Sequence, residues 1–161
     1  PEIGEERWFY NKKKDLRPFA GRCNCRGLAQ GRDSDTDPNE VCGHSLFLAT
    51  SDKRLISLDA RTGNLCSNYG KDGIVDEVPF NKSMELTNQI RAMQLKSPPA
   101  VVNGVVVIGG TGNKFEDASS VNGAVRGLDA RTGRFLWAFD TLVGGKDNPG
   151  SLPYTVGGAN V

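Results

Sequence analysis

The sequence predicts an all-β chain made of repeated small antiparallel sheets, and three observations carry that prediction. The first is an internal repeat: Leu58-Asp59-Ala60-Arg61-Thr62-Gly63 recurs residue for residue as Leu128-Asp129-Ala130-Arg131-Thr132-Gly133, 70 positions later. The second is short apolar runs broken by turn residues ahead of each copy, with no helical period. The third is glycine, at 20 of 161 residues, which is well above the ~7% of ordinary usage and calls for many tight turns.

In chain order, Gly4-Glu5-Glu6-Arg7-Trp8 reads as a truncated copy, with the same Gly-to-Trp step that leads from Gly133 to Trp137. Residues 45–50 form a strand, Ser51-Asp52-Lys53 turns, and residues 54–60 return as the strand that enters the first full repeat. Val101-Val102, an Asn103-Gly104 turn of the kind that favours type I′ hairpins, and residues 105–108 precede the second. Arg-Thr-Gly closes the next hairpin in both. Gly63 and Gly133 supply the positive φ, Asp59 and Asp129 accept the turn's free amides, and Trp137 lies back over the hairpin it follows. Units of this length suit propeller blades, of which a closed ring needs 4–8. About three are present, so residues 1–161 make one partial β-propeller domain, incomplete at both ends. As an isolated arc it would bare sheet edges and apolar faces and be adhesive. Residues 71–98 and 109–123 are long insertions, the loops where function concentrates.

Charge and composition exclude several classes. Twenty Lys+Arg against 19 Asp+Glu give a net charge of +1, so no global field draws nucleic acid or an acidic membrane. No run approaches the ~18 apolar residues of a membrane span. The start lacks an initiator Met and a signal-peptide profile, which suggests a chain cut from a longer one. Four cysteines, Cys23, Cys25, Cys42 and Cys66, lack zinc spacing and read as buried thiols or one disulfide. Asp33, Asp35 and Asp37 mimic an EF-hand opening, but Pro38 and His44 stand where glycine and a bidentate Glu are needed. Residues 110–114 resemble a phosphate cradle, yet Phe115 replaces its third glycine. Lys12-Lys13-Lys14 reads as a solvated loop, and His44, without a Ser or Asp arrangement around it, as a turn residue.

Asp129 to Trp137 resembles the tryptophan-docking repeat of the pyrroloquinoline quinone (PQQ) dehydrogenases. Cys25-Arg26-Gly27, Cys42, residues 46–60, Gly63 to Cys66, Tyr69 to Asp76, Ser97-Pro98-Pro99 and residues 123–137 resemble, in that order, the early blades of the membrane-bound quinoprotein glucose dehydrogenase group. The resemblance implies an eight-bladed propeller carrying PQQ and calcium. Such an enzyme oxidises an aldose or a polyol or other alcohol in the periplasm and passes electrons to a membrane quinone or cytochrome. A segment outside this chain would anchor it to the inner membrane. By the same resemblance Arg26 lies by the PQQ, where a guanidinium can hold the cofactor's carboxylates in bidentate fashion. Gly110 and Thr111, opening the loop after the residue 105–108 strand, are further cofactor-binding candidates. No catalytic residue is assigned, because the family's aspartate base, its floor tryptophan and its cofactor-binding lysine belong to later blades; the chain alone is expected to be inactive.

The sequence departs from the pattern at Arg22, where glucose dehydrogenases carry histidine, and at Cys23-Asn24-Cys25, where alcohol-oxidising relatives have adjacent cysteines. Asn113-Lys114 and Glu116-Asp117 stand near the family's metal-associated Asp-Asn pair, leaving Asn113 and Asp117 as weak candidates and the metal ligands unknown. Ser67 replaces the docking Trp of the first repeat, so something else must seal that blade. The rival readings are a non-catalytic propeller scaffold of the cell envelope, which would keep the repeats without the Cys-Arg-Gly segment, and a secreted carbohydrate-binding propeller.

Overall fold

The computed structural model describes residues 4–11, 27–32, 37, 39–50, 52–76, 95, 97–110 and 124–140. These residues form two four-stranded antiparallel sheets and no helix. The first is the meander β1 (Ala29–Arg32), β2 (His44–Ala49), β3 (Leu55–Asp59) and β4 (Ile74–Val75); the second is β5 (Ala100–Val102), β6 (Val105–Gly109), β7 (Ala124–Asp129) and β8 (Phe135–Asp140). The two Arg-Thr-Gly turns therefore lie in separate sheets, as successive blades require. Two blades are complete. The third expected copy, residues 4–8, forms no strand, and the described segment 4–11 supplies Trp8 and Tyr10 to the first sheet instead.

Alternation along the strands decides which faces meet. Phe47, Ala49 and Leu55 of the first sheet meet Val106, Ile108 and Leu128 of the second in one core, joined by Cys66, Tyr69 and Leu95. Leu48, Ile56 and Leu58 point the other way and pack with Tyr10 and Leu65. The inner strands run side by side: Gly27 packs on Pro98 and Gly31 on Val101. Leu95 is buried, so the end of the 71–98 insertion belongs to the core, and Ile74–Val75 make its beginning the outer strand of the first blade.

The repeat turns form as the sequence implies. In the first, Gly63 has φ +73°, and a side chain there would overlap the Trp8 ring. The Trp8 indole N–H donates to the Ala60 carbonyl at 3.1 Å. In the second, Gly133 has φ +70° and faces Val75, Tyr69 and the Gly70 amide rather than a tryptophan. The replacement comes from the first blade. Its outer strand opens at Leu65, opposite Leu58, and resumes at Ile74, opposite Ile56. Ser57 holds both ends of the excursion: its N–H donates to Gly73 O at 2.9 Å and its carbonyl accepts Cys66 N–H at 3.0 Å. The loop between them carries Gly70 N–H to Thr132 O at 2.9 Å. That is what seals the joint where Ser67 stands in place of Trp. In the second blade Trp137 lies over Gly127, and Leu136 is the extra residue of a bulge between Gly127 and Leu128.

Candidate functional site

Strand direction separates two ends of the blade pair. One holds Gly27 before β1, Pro98 and Pro99 before β5, Gly110 after β6, and the Thr50 to Arg54 turn between β2 and β3. The other holds both Arg-Thr-Gly turns, the β1–β2 loop and the Asn103-Gly104 turn.

At the first end Gly110 is buried, at the head of its loop. Arg26 and Thr111 lie outside the described residues, as do Asn113, Asp117, Cys23 and Cys25. Their chain neighbours Gly27 and Gly110 nonetheless stand at the same end of adjoining blades. The Thr50 hydroxyl is committed to the backbone of Arg54, donating to its carbonyl at 3.0 Å and accepting its N–H at 3.2 Å. Arg54 is paired in turn with Asp52, Nε to Oδ2 at 2.8 Å and Nη2 to Oδ2 at 2.6 Å. This buried ion pair rigidifies the turn. Arg126 is fully buried on the face of β7 that carries Leu128 toward the first sheet.

At the second end the Asp59 carboxylate gathers four donors: Cys42 N–H at 2.6 Å, Thr62 N–H at 2.8 Å, Arg61 N–H at 3.0 Å and the Thr62 hydroxyl at 3.0 Å. Burial pushes its carboxyl upward, but these hydrogen bonds prevail and hold it below the usual carboxylate range. Asp129 repeats the arrangement with Arg131 N–H, Thr132 N–H and the Thr132 hydroxyl. Burial is again outweighed, here by Thr132, Arg131 and the Arg134 charge, and the carboxyl is again lowered. Burial and the nearby Asp129 charge push the Tyr69 phenol well above its ordinary range. Asp37 accepts Asn39 N–H at 2.8 Å, as a turn-former does. His44 opens β2 opposite Arg32 rather than sitting in a turn, because the preceding loop closes at Cys42 and Gly43.

Cys42 and Cys66 form a disulfide, with Cα atoms 5.8 Å apart. Sequence spacing left the pairing open, because the repeat alone does not reveal that the strand leaves the sheet at Cys66. Both cysteines line a cavity of about 950 Å³ between the sheets at this second end, with Ser57, Asn103, Asp129 and Leu136 on its other walls. This cavity is thus at the opposite end from Gly27 and Gly110. Among the described residues no group of three or more His, Cys, Asp or Glu could hold a metal ion.

Over residues 1–161 the chain matches the family described as PQQ: glucose/ethanol/alcohol dehydrogenase, beta-propeller domain. The chain belongs to this family. It is 33% identical over 141 residues to the glycerol dehydrogenase large subunit of Gluconobacter oxydans, covering 87% of this chain and 18% of that protein. It is 29% identical over 154 residues to the quinoprotein glucose dehydrogenase of Escherichia coli, covering 93% and 18%. The quinohemoprotein alcohol dehydrogenase of Comamonas testosteroni aligns with a TM-score of 0.42 at 26% identity, over 60% of this chain and 12% of that one. The chain spans roughly a fifth of the length of the curated relatives it matches. As a member of the PQQ dehydrogenase propeller family it is related to oxidoreductases of sugars, glycerol and alcohols.

Proposed function

We propose that residues 1–161 are part of one propeller domain of a PQQ-dependent dehydrogenase that oxidises an aldose, a polyol or another alcohol. The observation that carries this reading is the family match over all 161 residues, joined to an architecture that brings Gly27 and Gly110 to one end of adjoining blades. The bound quinone would supply the two-electron sink for the alcohol carbon's hydride. This chain's share is to bind. Arg26 would engage the cofactor's carboxylates, and Gly110 and Thr111 would border it by backbone and hydroxyl. The fit of the described residues is partial: Gly110 is buried at the head of its loop, while the charged partner the cofactor needs is Arg26, beyond the described set. Calcium is expected from the resemblance alone, and the described residues offer it no ligand cluster.

The Cys42–Cys66 disulfide supports an oxidising compartment, here the periplasm, and the relatives' chemistry supports a membrane quinone or cytochrome as acceptor. An anchor to the inner membrane would come from a segment outside this chain. The test uses the full-length protein reconstituted with PQQ, assayed by dye reduction with glucose, glycerol and ethanol. At least one should be oxidised. Arg26→Ala should weaken PQQ binding by about 1.5–3 kcal/mol, the contribution of a charged hydrogen bond. Unchanged PQQ affinity would remove Arg26 from the site, and a protein that binds no PQQ at all would favour the non-catalytic scaffold.

A further inference from the structure

We propose that the Cys42–Cys66 disulfide is a directional clamp: a thiol reductant entering the cavity attacks Cys42 Sγ, Cys66 departs as the thiolate, and the β1–β2 loop is released from the end of β3. The asymmetry begins with access. Both cysteines line the cavity, but Cys66 is only 1% exposed while Cys42 is half-buried on the loop that carries the exposed Glu40 and Val41. The more open approach for an attacking thiolate is therefore on the Cys42 side of the bond.

The leaving side is prepared as well. The Ser45 hydroxyl lies 3.7 Å from Cys66 Sγ and 3.1 Å from the Cys42 carbonyl, to which it donates. It needs only to rotate to donate instead to a thiolate forming on Cys66. A hydrogen bond to the charged form lowers a group's pKa, and a leaving thiol of lower pKa departs faster. Attack at Cys42 thus expels the sulfur that the protein can stabilise.

The exchange balances with a dithiol as reductant. Its thiolate forms a mixed disulfide with Cys42 as the Cys42–Cys66 bond breaks. Its second thiol, after losing its proton to solvent, closes a ring disulfide and releases Cys42. Two electrons pass from the dithiol to the protein, and both cysteines take up protons as the surrounding pH dictates.

Cys42 has φ +65°, a left-handed conformation that non-glycine residues rarely hold. It is kept there by the disulfide and by its N–H bond to Asp59. Cutting the disulfide, and turning the Ser45 hydroxyl from the Cys42 carbonyl to the Cys66 thiolate, removes two of the restraints on the loop and leaves the Asp59 bond, so one wall of the cavity loosens.

Reduced glutathione, a monothiol, cannot close a ring disulfide, so a brief exposure ended by acid traps the first mixed disulfide and reports its direction. The full-length native protein is treated, quenched in acid and mapped by peptide mass. Glutathione on Cys42 with a free thiol at Cys66, together with faster proteolysis of residues 39–43, is the expected result. Ser45→Ala should slow native-state cleavage several-fold while leaving the rate in denaturant unchanged. Adducts on Cys66, an even mixture, cleavage only upon global unfolding, or a Ser45→Ala rate equal to the parent's would each overturn the proposal.

Discussion

At the residue scale, Asp59 shows how one carboxylate can set a turn and a neighbouring loop together. It collects two amides and a hydroxyl from its own turn and one amide from Cys42, seventeen positions away in sequence. Asp59→Ala leaves those donors without their acceptor in a partly buried place, a loss of about 1–3 kcal/mol; urea unfolding of the full-length chain measures it. The sign of the pH dependence follows from the lowered carboxyls of Asp59 and Asp129. Their contribution is fully present above the unfolded carboxyl value of about 3.9, and is lost as pH falls through the lower folded values. Stability should hold steady through mild acid and drop below about pH 4, and Asp59→Asn should flatten that drop. A second test concerns Tyr69. Its hydroxyl is buried with no hydrogen-bond partner among the described residues, so Tyr69→Phe removes an unsatisfied group while keeping the ring's tilted contact with Phe47 at 5.4 Å. Thermal unfolding should show an unchanged or higher midpoint, by up to about 1 kcal/mol of added stability.

At the scale of elements, the instructive comparison is between the two copies of the repeat. Where Trp137 continues β8 past its bulge, Ser67 sits in an excursion that leaves the sheet at Cys66 and returns at Gly73. The excursion performs the sealing task at Gly133 that Trp8 performs at Gly63. Sequence reading caught the turns because a glycine at positive φ and an aspartate two residues before the turn amides are local requirements. It also caught that Ser67 needed a substitute, since the repeat's phase is visible. The substitute itself and the Cys42–Cys66 pairing were not legible, because both depend on where an irregular loop lands on a neighbouring sheet. The candidate cofactor residues were readable only through ordered resemblance: Gly110 bears no local mark that separates it from other strand-ending glycines. Replacing Cys42 and Cys66 together by serine opens a loop of sequence separation 24, for which the chain-entropy account expects a loss of about 3.5 kcal/mol. A denaturant midpoint that scarcely moved would mean that Asp59 and the core already hold the loop.

For the whole molecule, the decisive feature is a face that the described residues leave open. Trp137 and Phe139 stand two apart on β8, on the side turned away from the first sheet, and are 41% and 63% exposed. Val105, Val107 and Val125 continue that apolar face, each half-buried. Soluble monomers seldom expose such contiguous patches, and a blade face is where the next blade packs. The sequence-based expectation of an adhesive arc thus acquires an address. The 161-residue chain by itself should associate at micromolar concentration in sedimentation experiments, and Phe139→Lys should shift it toward monomer by placing a hydrated charge in the patch. In the full-length protein the same substitution should act in the opposite sense. There a lysine would be forced against the neighbouring blade, and burying its charge unpaired should lower the unfolding midpoint. A variant that left both the association of the short chain and the stability of the long one unaltered would show that this face meets no blade, and that the second sheet is packed by some other part of the molecule.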